Sequence, residues 1–193
     1  MTFDAGLSFK SHVKQVASKA NSRIGMLRRA GNFLDPVGRG IVYKGFVRPV
    51  MEYAPLAWAG AAPSTLELLD KVQRRAEKII AGDSNLHSLK HRRKVSALSY
   101  LYKLQTDGIP ERLKKMVPSS LPPPAAGPTR TAKEKCRNWH HNLIQNSSNP
   151  KSLDLFKRSF PDGFVNDWNS LPTDFFGGAY DVTWLQPFKK KLV

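Results

Sequence analysis

Four cations, Lys71, Arg74, Arg75 and Lys78, recur in a segment whose apolar residues Leu66, Leu69, Val72, Ala76, Ile79 and Ile80 keep three- and four-residue steps. On a helix, at about 100° per residue, the cations form one contiguous stripe opposite the apolar face. Such a stripe can neutralise the phosphates of a nucleic acid. A merely solvated helix face is the other reading of the same pattern. A second cluster, Lys90, His91, Arg92, Arg93 and Lys94, opens the next periodic segment. Cations are unfavourable near a helix N-terminus, so this cluster calls for an external anion such as phosphate, or for exposure to solvent. The candidate nucleic-acid-binding residues are therefore Lys71, Arg74, Arg75, Lys78, Lys90, Arg92, Arg93 and Lys94.

The charge of the whole chain points the same way. Its 193 residues carry 31 Lys+Arg against 15 Asp+Glu, a formal net charge of +16 at pH 7. The excess is spread, with 9 basic against 3 acidic residues in 1–60, 12 against 6 in 61–117 and 10 against 6 in 118–193. A body basic throughout is attracted to polyanions, of which RNA and DNA are the most abundant in a cell. The 40% hydrophobic content supplies a core and excludes wholesale disorder. Cys136 is the single cysteine, so no intrachain disulfide and no Cys-rich zinc site is expected, and the setting is read as intracellular, nuclear or cytoplasmic. The longest uncharged stretches, 53–66 and 116–129, fall short of the ~20 residues of a membrane span and contain prolines, and the start has no signal-peptide pattern, so no membrane partner is expected.

Catalysis by this chain alone is not expected. Two-metal phosphoryl transfer needs converging carboxylates, and the fifteen acids never stand side by side. Glu67 and Asp70, three apart, read as support for a helix dipole. A metal-nuclease pattern starting at Pro161-Asp162 would need a later acid followed two positions on by Lys. Asp167, Asp174 and Asp181 are followed there by Asn169, Phe176 and Thr183. Gly38-Arg39-Gly40 and Gly177-Gly178 lack the flanks of a phosphate-binding loop and read as flexibility or close packing. Cys136 with His140 or His141 has no third orienting group. No cofactor and no metal is implied.

The expected fold is mainly α: a helical bundle over 1–117, a Pro-rich linker over 118–135 and a small irregular extension over 136–193. Apolar steps through Phe9, Val13, Val16, Ala17, Ala20, Ile24 and Leu27 predict a first helix over 8–29, stopped by Gly31. Asp35, an N-cap, and Pro36 open a second that should run to about Trp58, kinked at Pro49 and weakened by Gly38, Gly40 and Gly45. Ser64-Thr65-Leu66-Glu67 reads as a capping box for the third helix, ended by Gly82. A fourth should cover 88–106, and shorter ones 110–117 and 133–145. Arg48 and Glu52, four apart, read as a salt bridge at the Pro49 kink. Tyr53, Trp58, Phe160, Trp168 and Phe175 read as core rather than as base-stacking platforms.

Several stretches, taken as an ordered set, resemble one family. They are Thr2-Phe3-Asp4 with Leu7-Ser8-Phe9 and His12-Val13; Tyr43-Lys44, Val47-Arg48-Pro49, Glu52-Tyr53-Ala54 and Trp58; Leu69 with Val72-Gln73-Arg74-Arg75-Ala76; and Leu89, His91-Arg92-Arg93 and Tyr102-Lys103. Together they are similar to the region after the palm in reverse transcriptases of jockey-like, LINE-type (non-LTR) retrotransposons. Thr129-Arg130, Arg158-Ser159-Phe160, Trp168-Asn169-Ser170-Leu171-Pro172, Phe175, Leu185-Gln186 and Phe188-Lys189 resemble the closing segment of those polyproteins. The resemblance implies a helical thumb that grips template and primer, RNA/DNA hybrid or duplex, followed by a C-terminal extension. The catalytic aspartates would belong to an upstream palm, a partner within a longer chain. The alternative is a remnant or co-opted helical module that binds an acidic protein.

Overall fold

A computed structural model describes residues 1–81, 86–105, 143–145, 158–172 and 190. Of these, 71% are helical and none lies in a strand, so the fold is mainly α. None of their helices is long and apolar enough to cross a membrane. The chain divides into two compact units, Met1–Lys94 with Asp154–Ser159, and Val95–Leu153 with Phe160–Val193. The linker over 118–135, the helix over 110–117 and most of the extension over 136–193 lie outside the described residues.

In the first unit, α1 spans Lys10–Ala30 and buries Val13, Ala17, Ala20, Ile24 and Leu27, which follow one another at alternating steps of four and three residues. Asp4 supplies its cap from outside. The Ser8 and Phe9 N–H groups donate to the Asp4 carboxylate at 3.1 and 2.9 Å, and the Ser8 hydroxyl donates to it as well. These bonds hold Asp4 below the usual carboxylate range, the Ser8 hydroxyl foremost. A 3₁₀ turn, Gly31–Phe33, follows α1 directly.

The second helical segment starts as expected: α2 spans Pro36–Val42, and the Gly38 N–H donates to Asp35 Oδ1 at 2.8 Å. It then widens into a π-turn, Tyr43–Val47, and closes as α3, Arg48–Met51. Proline in an α-helix clashes with the carbonyl four residues back. Here the Arg48 N–H reaches the Tyr43 carbonyl, and the wider turn accommodates Pro49. The segment ends at Met51, not near Trp58. Pro55 disfavours helical geometry at Ala54, which adopts φ 48°, and the chain continues as turns. Tyr53, beyond that end, is 74% exposed rather than core. Its carbonyl accepts from Trp58 Nε1 at 3.1 Å, and it is Trp58 that is buried.

α4 spans Pro63–Ile80 and buries Leu69, Val72, Ala76 and Ile80 against α1. The expected capping box is not used. Pro63 occupies the first helical position, Ala62 is the cap without a side-chain bond, and Glu67 lies beyond the first turn. The helix ends at Ala81 in the left-handed region, φ 51°, one residue before Gly82. α5 spans Leu89–Gln105, and the His91 N–H donates to Ser88 Oγ at 3.2 Å.

In the second unit, Leu98, Leu101, Tyr102 and Leu104 of α5 cluster with Ile144, Val165 and Trp168. A 3₁₀ turn, Asp162–Phe164, leads into α6, Val165–Asn169. Trp168 is fully buried, as expected of core, and Phe160 packs on the same cluster. Asn169 acts as a stand-in for a β-strand neighbour: its Oδ1 accepts the Ile144 N–H at 3.0 Å and its Nδ2 donates to the Ile144 carbonyl at 2.9 Å. Residues 143–145 are consequently not helical, which corrects the end of the helix expected over 133–145; its earlier part, and Phe175, lie outside the described residues.

Candidate nucleic-acid interface

α4 presents Lys71, Arg74, Arg75 and Lys78 to solvent, because the apolar face of the same helix is committed to α1. Two of the four already have an anion. Lys71 Nζ and Arg74 Nη2 lie 3.8 and 3.7 Å from Glu67 Oε1, with all three side chains more than half exposed. Exposed pairs of this kind are worth little, about 0–1 kcal/mol, so a phosphate can displace the carboxylate at small cost. Lys78 makes no ion pair among the described residues.

Arg75 Nη1 donates to Asn21 Oδ1 of α1 at 3.0 Å and carries the stripe across the helix boundary. On α1, Lys14, Ser18, Gly25 and Arg28 share a face with Asn21 at steps of three and four residues, and Lys14 and Arg28 are exposed. The α4 stripe therefore continues onto α1, giving one two-helix basic face. Lys14 and Arg28 were missed by reading the helices singly. Their common row with Asn21 was legible; that this row borders α4 was not.

The second candidate cluster divides. Lys90 is exposed, and Lys94 is half-buried. Arg92 forms a two-point ion pair with Glu52, through Nε to Oε1 and through Nη2 to Oε2 at 2.9 Å. The bond to Glu52 holds the Arg92 guanidinium above its ordinary pKa. Arg93, whose side chain is only 12% exposed, lies 3.7 Å from Asp70. Burial lowers its pKa, and Asp70 and Glu52 oppose that shift. An internal explanation for cations at the start of α5 thus exists: acids on other elements neutralise two of them. Glu67 and Asp70 correspondingly serve ion pairs rather than the α4 N-terminus. The expected Arg48–Glu52 contact is present at 3.7 Å, so Glu52 faces two guanidinium groups.

Tyr43 lies beside this group, fully buried with its hydroxyl unpartnered. Burial, and secondarily Glu52, push its pKa upward. Arg39, between two glycines, is also committed internally. Its Nε donates to the Gly31 and Leu34 carbonyls, each at 3.0 Å, and its Nη1 donates to the Ile79 carbonyl at 3.2 Å. One guanidinium thereby satisfies backbone acceptors at the C-terminal ends of both α1 and α4. Among the described residues no group of three or more His, Cys, Asp or Glu is placed to hold a metal ion.

No family model, no curated protein and no solved structure matches the chain.

Proposed function

We propose that the chain binds nucleic acid as a thumb-like and C-terminal region of a LINE-type reverse transcriptase, gripping template–primer duplex through its basic helix faces. The observation that carries this reading is the exposed row Lys71, Arg74, Arg75 and Lys78, extended by Lys14 and Arg28 onto α1 through the Arg75–Asn21 bond. Such a face contacts phosphates and not base edges, so the chain prefers no base sequence. Arg92 and Arg93 contribute indirectly, by fixing the first turn of α5 within the first unit through Glu52 and Asp70. Polymerisation is assigned to a palm elsewhere, and this chain by itself incorporates no nucleotide.

The test is fluorescence anisotropy of the whole chain on labelled RNA/DNA hybrid and on two unrelated duplexes at three salt concentrations. With about five phosphates neutralised, log affinity falls with log salt at a slope of about −4 to −5. Reversing Lys71, Arg74 and Lys78 to Glu weakens binding to every duplex alike and flattens the slope by about 2 to 3 units. The thermal midpoint stays nearly unchanged, since exposed substitutions shift stability by about 0.5 kcal/mol or less each. A salt-independent affinity, or a triple variant that binds normally, refutes the proposal.

A further inference from the structure

One face of the first unit is unlike the basic one. Phe33, Val37 and Ile41 stand four residues apart on the 3₁₀ turn and α2, and are 90%, 69% and 65% exposed. Val37 and Ile41, one turn apart on α2, share a face, and Phe33 precedes them on the 3₁₀ turn, beyond the extended Leu34 and Asp35. Large apolar side chains exposed together on one face are a stripe, whereas scattered exposed hydrophobics need no explanation. Glycines accompany the stripe. A Cβ on Gly40, beside Val37 and Ile41, or on Gly45, four residues beyond Ile41, would meet nothing within 4 Å. Gly38 differs, because a Cβ there would strike Asp35 Oδ1 at 2.7 Å. Packing within the chain therefore accounts for Gly38 and not for Gly40 or Gly45. Each costs helix stability relative to Ala, and bare backbone beside apolar side chains lets another helix approach closely.

The surrounding charge selects the occupant. Lys44, three residues beyond Ile41 on the same helical segment, is an exposed cation, and Arg29, at the end of α1 just before the turn, is another, while the nearby acid Asp35 is occupied in capping Gly38. A second copy, with its own +16, would bring like charges together. A nucleic acid has no aliphatic ladder to match Val37 and Ile41. We infer that the exposed Val37–Ile41 face of α2, with Phe33 before it, docks an acidic amphipathic helix of a partner protein, its apolar residues meeting Val37 and Ile41 and its carboxylates meeting Arg29 and Lys44. This site is separate from the α4 stripe and does not depend on the nucleic-acid reading.

The test uses the whole chain and two fluorescein-labelled 18-residue helical peptides with Leu at helical spacing, one with Glu and one with Lys at the remaining positions. The Glu peptide is expected to bind at micromolar concentration and the Lys peptide at least tenfold more weakly. Val37→Asp with Ile41→Asp should cost at least tenfold in Glu-peptide affinity. The milder Val37→Ser with Ile41→Ser gives a second measure should the first pair melt early. The Lys71, Arg74 and Lys78 reversal should change peptide affinity less than threefold, and the Val37/Ile41 variants should bind duplex as the parent does. The inference is overturned if the Glu peptide fails to bind, or if the α4 reversal abolishes its binding as a polyanion would be lost. It is equally overturned if the Val37/Ile41 changes dissolve a dimer in sedimentation, making a second copy the occupant, or weaken duplex binding, making it a nucleic acid.

Discussion

The basic runs of α4 and α5 look alike in composition and have opposite fates. On α4, Lys71, Arg74, Arg75 and Lys78 stand in solvent, the first two held loosely by Glu67 and Arg75 by the Asn21 amide. At the start of α5, Arg92 and Arg93 turn inward onto Glu52 and Asp70. A cation's availability depends on whether a carboxylate from another part of the chain reaches it in a place shielded from water. Exposed pairing on α4 leaves the charge exchangeable; partly buried pairing on α5 makes it structural.

The largest effect expected from this contrast comes from Arg92→Ala, which removes the two-point partner of the half-buried Glu52 carboxylate and leaves it the longer Arg48 contact at 3.7 Å. Breaking a fully buried pair costs about 3–5 kcal/mol and an exposed one about 0–1, so this intermediate site should lose about 2 kcal/mol in urea denaturation. Lys90→Ala, two residues away and exposed, should lie within about 0.5 kcal/mol of the parent. If Arg92→Ala unfolds like the parent yet loses duplex affinity, the contrast between the two helices is broken.

Arg39→Ala should come next. It leaves the Gly31, Leu34 and Ile79 carbonyls without their cation, and hydrogen bonds to charged groups contribute about 1.5–3 kcal/mol, so a loss of about 2 kcal/mol is expected with duplex binding intact. Urea titration and anisotropy on one preparation decide this.

Tyr43→Phe should go the other way, removing a buried hydroxyl that has no partner and leaving stability unchanged or raised by up to about 1 kcal/mol. It also carries a pH signature. Because the folded pKa of Tyr43 is raised, the unfolded chain loses this proton first as pH climbs past about 10. The native state is then penalised, and stability present below pH 10 declines above it. Melts between pH 9 and 11 should show a steeper alkaline decline for the parent than for Tyr43→Phe.

The smallest effect belongs to Glu67→Gln, which removes the carboxylate that Lys71 and Arg74 share. Duplex affinity should rise about two- to fivefold at low salt, in keeping with an exposed interaction below about 1 kcal/mol, and the gain should shrink as salt is added. A fall in affinity would mean that Glu67 positions these cations rather than competing for them.

Reading the chain residue by residue recovers α1, α4 and α5 nearly whole, because each buries residues at helical steps and the pattern lies within the segment itself. The Asp35–Pro36 start of α2 is legible for the same reason, since its cap reaches only three residues ahead. The capping box at Ser64 misleads because Pro63 can open a helix without a side-chain cap. Tyr53 reads as core from the sequence because it is a large aromatic that nothing there marks as exposed. Whether it or Trp58 is buried depends on where the helix stops, and Pro55 sets that limit.

The helices, their apolar faces and the strongly basic balance are legible in the chain alone, for they follow from backbone sterics, composition and spacing over a few residues. Which cations remain available is set by contacts between distant segments. Glu52 meets Arg92 across 40 positions, Asp70 meets Arg93, and Asn21 meets Arg75 across 54. No local period encodes these encounters. They arise when burial of the α1 and α4 faces brings distant segments together, and water is then excluded from some charges and left around others.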